Sequence, residues 1–253
     1  MRSFFNRFYR MLFCRGGYGV HSPFAFDLIT AVIEERRVYY CYETLEGIRR
    51  QLRQEKRKIS YGADRSTLRK ILRKEGFSLQ GYRLLFRLTN YFRPQQTLVI
   101  GSGLGLTPLY VTAYSGKTTC LVFEPEPSLA VIARNVVGKY AHAPIHVYDK
   151  IFDGSELLGK VDFIVWRNIS SASSGDEARQ TDHSFAFFEQ LLPYVTEKSL
   201  LVVGDIYASS AKKQLWKKIC AHPAVSVTFD LYSFGLVFFN SKLYRQRYKN
   251  IFM

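Results

Sequence analysis

VIGSGLGLTPLY, residues 99–110, joins an apolar strand to a helix through a loop in which every second residue is glycine. The strand is expected to end at Ile100 and the helix to start near Thr107-Pro108. Gly101 permits a tight turn, and Gly103 and Gly105 lack the Cβ that would hold a ligand away from the backbone. The N-terminus of the helix that follows offers unpaired N–H groups to a carboxylate or phosphate. Proline is tolerated in that first turn because its missing N–H would have had no partner there. Glu124 comes directly after the next apolar run, CLVF (120–123), twenty-three positions beyond Gly101. A carboxylate at that strand end is placed to accept hydrogen bonds from two ribose hydroxyls.

The glycine spacing separates two nucleotide classes. A dinucleotide fingerprint, GxGxxG/A, needs a small residue where this chain has Leu106. Glycine stands instead at 105, and GxGxG suits S-adenosyl-L-methionine (SAM) better than NAD.

Outward from this loop, short apolar runs recur, each followed by a helical segment: TLVI (97–100), CLVF (120–123), IHVY (145–148), DFIVW (162–166) and LLVV (200–203). Continuous apolar strands alternating with helices predict a parallel sheet covered on both faces. VSVTFDLYSFGLVFFN (225–240) has no room for a helix and reads as an antiparallel hairpin. The expected fold is α/β, with a mostly parallel seven-stranded sheet closed by that hairpin.

Residues 1–93 read as helices without a convincing strand and form an expected helical extension packed on the core; residues 94–253 form the core domain. Ser22-Pro23 reads as a helix start, with Phe24, Leu28, Val32 and Ile33 at helical spacing. Tyr42 to Lys58 is expected to be one basic helix, and Asp64 the cap of another that ends near Gly76. Arginines at 2, 7, 10 and 15 interrupt the N-terminal segment, which favours an amphipathic helix over a signal peptide. The longest stretch without charge, between Arg93 and Lys117, holds four glycines and two prolines and does not read as a membrane span.

The formal net charge of +15 favours anionic partners. Nucleic acid, an anionic membrane surface and an acidic substrate all remain candidates, beside a solvated basic face. Basic runs lie at 49–58, 65–74 and 212–218, with a Lys/Arg-rich tail from Lys242. The four cysteines, Cys14, Cys41, Cys120 and Cys220, have no zinc spacing and are expected to be reduced thiols of a cytoplasmic protein. His142, His146 and His183 show no ligand spacing and read as surface or packing residues.

GVHSPFAFDLI (19–29), YGAD (61–64), GYRLLFRL (81–88), GSGLGLTPLY (101–110), FFEQLLPYV (187–195), VVGDI (202–206) and DLYSFGLVFF (230–239) span nearly the whole chain in order. Together they resemble a bacterial family of class I SAM-dependent methyltransferases akin to small-molecule O-methyltransferases. The resemblance implies a Rossmann-like methyltransferase fold, SAM as cofactor and methyl transfer to an acceptor that it does not identify. Gly101, Gly103 and Gly105 are expected to line the methionine end, with Ser102 among the cofactor contacts and Glu124 on the ribose. Asp149, after the third strand, reads either as a contact to the adenine amino group or as a helix cap. Asp205 is the candidate catalytic acid, or a cap for a helix starting at Ala208. Where the family carries acids, this chain has Val99 two positions before the first glycine, Arg167 after the fourth strand and Gly204 beside Asp205; Ser170 replaces a histidine. Transfer independent of Mg²⁺ and Ca²⁺ is therefore expected, with Arg167 either gripping an anionic acceptor or lying on a surface loop. A catalytically degenerate SAM-binding protein and an RNA methyltransferase are the alternatives.

Overall fold

The computed structural model describes residues 20–157, 159–167 and 177–250. The expected N-terminal amphipathic helix, Cys14 and the loop residue Ser170 lie outside these. Packing divides the chain into two compact units, residues 36–155 and residues 1–35 with 156–253.

The second unit opens with α1 (Pro23–Leu28), where the Ser22 hydroxyl accepts from the Ala25 N–H at 3.4 Å and proline fills the first turn. A π turn over Ile29–Ile33 follows. Val32 and Ile33 are buried, and the Phe24 ring meets Phe238 edge-on at 5.0 Å.

Residues 36–155 begin with α2 (Cys41–Gln54), which buries Tyr42, Leu45, Ile48 and Leu52 at helical spacing and exposes arginines on the other side. The stretch does not continue as helix to Lys58. Lys58–Tyr61 (β1) and Asp64–Thr67 (β2) form an antiparallel hairpin turned by Gly62, at φ +60°, and Ala63. The expectation of helices alone in this region fails here. The two strands carry KISY and DRST, polar and at most half-buried, so no apolar run marks them. Asp64 is accordingly a strand residue, and Thr67 stands at the start of α3 (Leu68–Glu75). In α4 (Leu79–Phe92), Ser78 caps the Gly81 N–H at 3.0 Å, and Arg93 in the left-handed region ends the helix before Pro94.

Three parallel strands follow in the order β3 (Gln96–Ile100), β4 (Thr119–Phe123), β5 (Ile145–Tyr148), with Val99 opposite Val122. Helices α5 (Leu106–Thr112) and α6 (Pro127–Tyr140) connect them. Leu98, Val99, Val122 and Phe123 are fully buried, as strands covered on both faces require.

The remainder of the other unit holds β6 (Phe163–Trp166), α7 (Glu177–Leu191), β7 (Leu200–Gly204), α8 (Ser210–Ala221), β8 (Val227–Asp230), β9 (Phe234–Phe238) and β10 (Gln246–Lys249). β6 and β7 are parallel; β9 is antiparallel to both β7 and β8, the expected hairpin. β10 pairs in parallel with β8 and is a strand beyond the seven expected. Arg245 and Arg247 in and before it donate to the carbonyls of Cys220, Ala221 and His222 at the end of α8. Two charges of the basic tail thus serve a helix C-terminus.

Candidate functional site

The loop between β3 and α5 winds through the left-handed region at four residues: Gly101 at φ +89°, Gly103 at +56°, Leu104 at +61° and Gly105 at +85°. Its own amides are mostly spoken for. Gly101 N–H donates to Phe123 O at 3.0 Å, and both Gly105 and Thr107 N–H donate to Ser102 O. The amides of Gly103 and Leu104 have no acceptor among the described residues. They leave two adjacent N–H donors in the turn, the arrangement that holds a carboxylate or phosphate.

The three glycines serve different ends. A Cβ at Gly105 would lie 3.1 Å from Ala133 O and from Val136 Cβ, so its absence lets α6 pack against the loop. A Cβ at Gly103 would lie 2.8 Å from Thr107 Oγ1 and 2.9 Å from the Tyr82 hydroxyl. Tyr82 projects from α4 onto the loop and stacks on Tyr110 of α5, ring centres 4.8 Å apart. The sequence reading did not single out Tyr82. Its only signal was GYRLLFRL, one of the pieces of the resemblance.

Glu124 stands where β4 ends, and its side chain is buried. Oε2 accepts from the Ser102 N–H at 2.9 Å and from the Ser102 hydroxyl at 2.8 Å. Oε1 accepts a long bond of 3.4 Å from the Glu126 N–H. Burial raises the carboxyl above its ordinary pKa, against the Ser102 and Glu126 bonds that favour the anion. The loop and the acid are therefore one unit: Ser102 fixes one carboxylate oxygen and leaves the other weakly engaged.

Asp149 lies just past β5, exposed, and pairs with Arg134 at 3.0 Å. The hydrogen bond from that guanidinium holds its carboxyl below the usual range. No helix follows it among the described residues up to 157, so the reading as a helix cap is corrected.

Arg167 and Asp205 come together beyond the ends of β6 and β7. Asp205 Oδ2 accepts from Arg167 Nε at 3.1 Å and forms an ion pair with its Nη2 at 2.9 Å. The arginine is 7% exposed and the aspartate side chain 32%, so Arg167 is not a surface residue. Asp205 adopts φ +56° and its N–H donates to Ser233 O in the β8–β9 turn. Ser209 caps α8 through a bond from the Lys212 N–H, so Asp205 is not that helix's cap. Close by in sequence, Tyr207 and Tyr232 stack at 5.6 Å; Tyr207 donates to Asp230 Oδ2, and Tyr232 N–H to its Oδ1. Tyr232 is also left-handed, at φ +69°. Neither tyrosine was anticipated, although Tyr232 lies inside DLYSFG. Trp166, Gly204, Ile206 and Leu215 line a small pocket with Gln180 and Lys212.

His142, His146 and His183 are all exposed. Among the described residues no group of three or more His, Cys, Asp or Glu side chains is arranged to hold a metal ion.

No protein-family model and no curated protein matches the sequence. Solved structures do match the fold. A methyltransferase from Geobacter sulfurreducens aligns over 82% of this chain and 93% of its own at 14% identity, with a TM-score of 0.53. An O-methyltransferase from Bacillus cereus, solved in complex with SAH, aligns over 81% and 92% at 15% identity and TM-score 0.53. The O-methyltransferase TomG from Streptomyces achromogenes, solved in complex with SAM, aligns over 86% and 95% at 10% identity and TM-score 0.52. At these identities the likeness is one of backbone. The chain has the α/β, Rossmann-like fold of the class I methyltransferases.

Proposed function

We propose that the protein is a SAM-dependent methyltransferase whose cofactor lies against residues 101–105 and Glu124. The observation that carries the reading is the coupling of loop to acid. Ser102 anchors Glu124 Oε2 through two bonds, Oε1 is left to accept from a ribose hydroxyl, and the Gly103 and Leu104 amides have no acceptor among the described residues. These groups match the two polar ends of SAM that a protein must hold, a carboxylate and a sugar diol. The neighbours solved with SAM or SAH support the same cofactor. Asp149, if it reaches the adenine amino group, does so while paired with Arg134.

SAM supplies an activated methyl group on sulfur for in-line displacement. The chain's part is alignment, exclusion of water and handling of one proton. Asp205 Oδ2 is occupied by Arg167, and Oδ1 has no partner among the described residues. Oδ1 is the atom that would take the acceptor's proton. Arg167, buried and fixed, orients Asp205 and favours a small acceptor that carries negative charge. Transfer proceeds without Mg²⁺ or Ca²⁺, because a guanidinium stands where a second carboxylate would be needed. A cytoplasmic setting fits the free, buried thiols of Cys41, Cys120 and Cys220. The expected extension of residues 1–93 is read as part of the core and not as a separate domain; for its residues 36–93 the packing of Tyr82 on Tyr110 supports this.

Calorimetry with SAM and SAH on the wild type and on Gly103→Asp tests the cofactor. Low-micromolar or weaker binding that the variant loses is the expected result. A well-folded wild type that binds neither would overturn the reading, and tight binding of NAD would replace it.

A further inference from the structure

We propose that α2, the β1–β2 hairpin and α3 form a docking face for nucleic acid, with Arg50, Arg53 and Arg69 at its centre gripping the phosphodiester backbone. Arg50 and Arg53 stand one turn apart near the end of α2, and Arg69 in the first turn of α3; with Gln54 they line one open cleft of about 280 Å³. All three arginines are exposed, and none has a carboxylate or hydrogen-bond partner among the described residues. Residues 49–74 hold eleven lysines and arginines against two acids, nine of the chain's fifteen net positive charges. One of those acids, Glu55, is taken by Arg57 at 3.0 Å.

Unpaired like charges within a Debye length repel each other, and a polyanion relieves that repulsion while releasing its own counterions. Guanidinium forks match phosphate oxygens in pairs. The cationic surface does not stop at the cleft. Lys58, Lys70 and Arg73 are exposed on the same elements and Lys56 on the link between α2 and β1, which suits a chain of phosphates over a single small anion. A membrane surface is the poorer match. Among the described residues the exposed large apolar ones are Phe26, Val38, Tyr40, Tyr91, Val131, Ile151 and Tyr244, none within 49–74. A helix that settles on lipid presents such residues beside its basic ones. The face is independent of the cofactor reading, because its binding is measured without SAM.

Fluorescence anisotropy with a short, labelled single-stranded RNA of mixed sequence tests it, using the full chain across a salt series. Arg50→Ala/Arg53→Ala/Arg69→Ala is compared with Lys213→Ala/Lys217→Ala/Lys242→Ala, which removes the same charge from exposed positions outside 36–155. The first set is expected to lose affinity about tenfold or more and to flatten the plot of log K against log salt by about two units, at roughly 0.7 per phosphate contact on a single strand. The second set should stay near wild type. Arg53→Glu substitutes if circular dichroism shows the triple variant unfolded. Equal losses in both sets, or no RNA binding by folded wild type, would overturn the proposal. So would tripolyphosphate competing as well as RNA per phosphate, or anionic vesicles bound in preference to RNA.

Discussion

Arg167 holds a single oxygen of Asp205 through one hydrogen bond and an ion pair, and the two residues differ sharply in exposure, 7% against 32%. That asymmetry sets which half of the pair is costly to lose. Asp205→Ala leaves a guanidinium short of its carboxylate in a buried position. Arg167→Met leaves a carboxylate that water already reaches. Asp205→Ala is therefore expected to destabilise the fold by about 1–3 kcal/mol, more than Arg167→Met does. Urea unfolding of both variants measures the difference, and the reverse order would show that the arginine has enough other partners to stand alone.

The same pair bears on metal dependence. A hard dication needs several oxygen ligands, carboxylates among them, and beyond β6 and β7 the described acid is Asp205, already facing a fixed positive charge. Excess EDTA is expected to leave SAM binding and the melting temperature unchanged, and Mg²⁺ or Ca²⁺ to produce no calorimetric heat beyond dilution. Activity that EDTA abolishes and Mg²⁺ restores would show the acceptor site to be built elsewhere.

The strand-end positions of Arg167 and Asp205 were legible in the sequence because both follow apolar runs that read as strands. β3, β4, β6 and β7 bury nearly all their side chains and so appear as continuous hydrophobic stretches. β1, β2 and β10 bury little, and their exposed polar residues carry no period that separates strand from loop. A strand-end acid beside a glycine loop is legible, but the Ser102–Glu124 link is not: the acid accepts from the loop itself, through the Ser102 N–H and hydroxyl. The Tyr82–Gly103 contact was illegible, since it depends on how α4 lies over the loop and nothing local encodes that.

Glu124 gives the fold a pH dependence of defined sign. Burial raises its carboxyl above the ordinary value of 4.5, so the folded protein holds a proton that the unfolded chain releases. Between 4.5 and that raised value, stability must fall as pH rises. Glu124→Gln removes this slope, so its stability relative to wild type should improve as pH climbs from the acid side toward neutrality. Urea unfolding in steps across that range reads the effect. A difference that stays flat with pH would mean that Ser102 fully compensates the burial.

Gly235 in β9 is held against an aromatic face. A Cβ there would lie 2.3–2.8 Å from three ring carbons of Trp216, closer than real side chains approach. Trp216 is itself only 5% exposed. Gly235→Ala is expected to cost about 1–3 kcal/mol through overpacking, with a change in tryptophan emission. Trp216→Phe should recover part of the loss, because it removes one of the two rings' worth of carbon at that point. Full stability in Gly235→Ala would place Trp216 in a looser packing than its contacts imply.

Gly103 combines two constraints that can be separated. Its φ of +56° disfavours any side chain, and a Cβ would press on both Thr107 Oγ1 and the Tyr82 hydroxyl. Gly103→Ala is expected to destabilise by about 1–3 kcal/mol, strain and crowding together. Tyr82→Phe keeps the ring stacked on Tyr110 but removes the oxygen that the new methyl would meet. Alanine at 103 should then cost less in the Tyr82→Phe background than in the wild type, by about 0.5 kcal/mol or more. The backbone term survives in both backgrounds, so the coupling isolates the contact from α4. Additive losses in the double-mutant cycle would mean that Thr107 and the left-handed conformation alone demand glycine, and that α4 does not press on the loop.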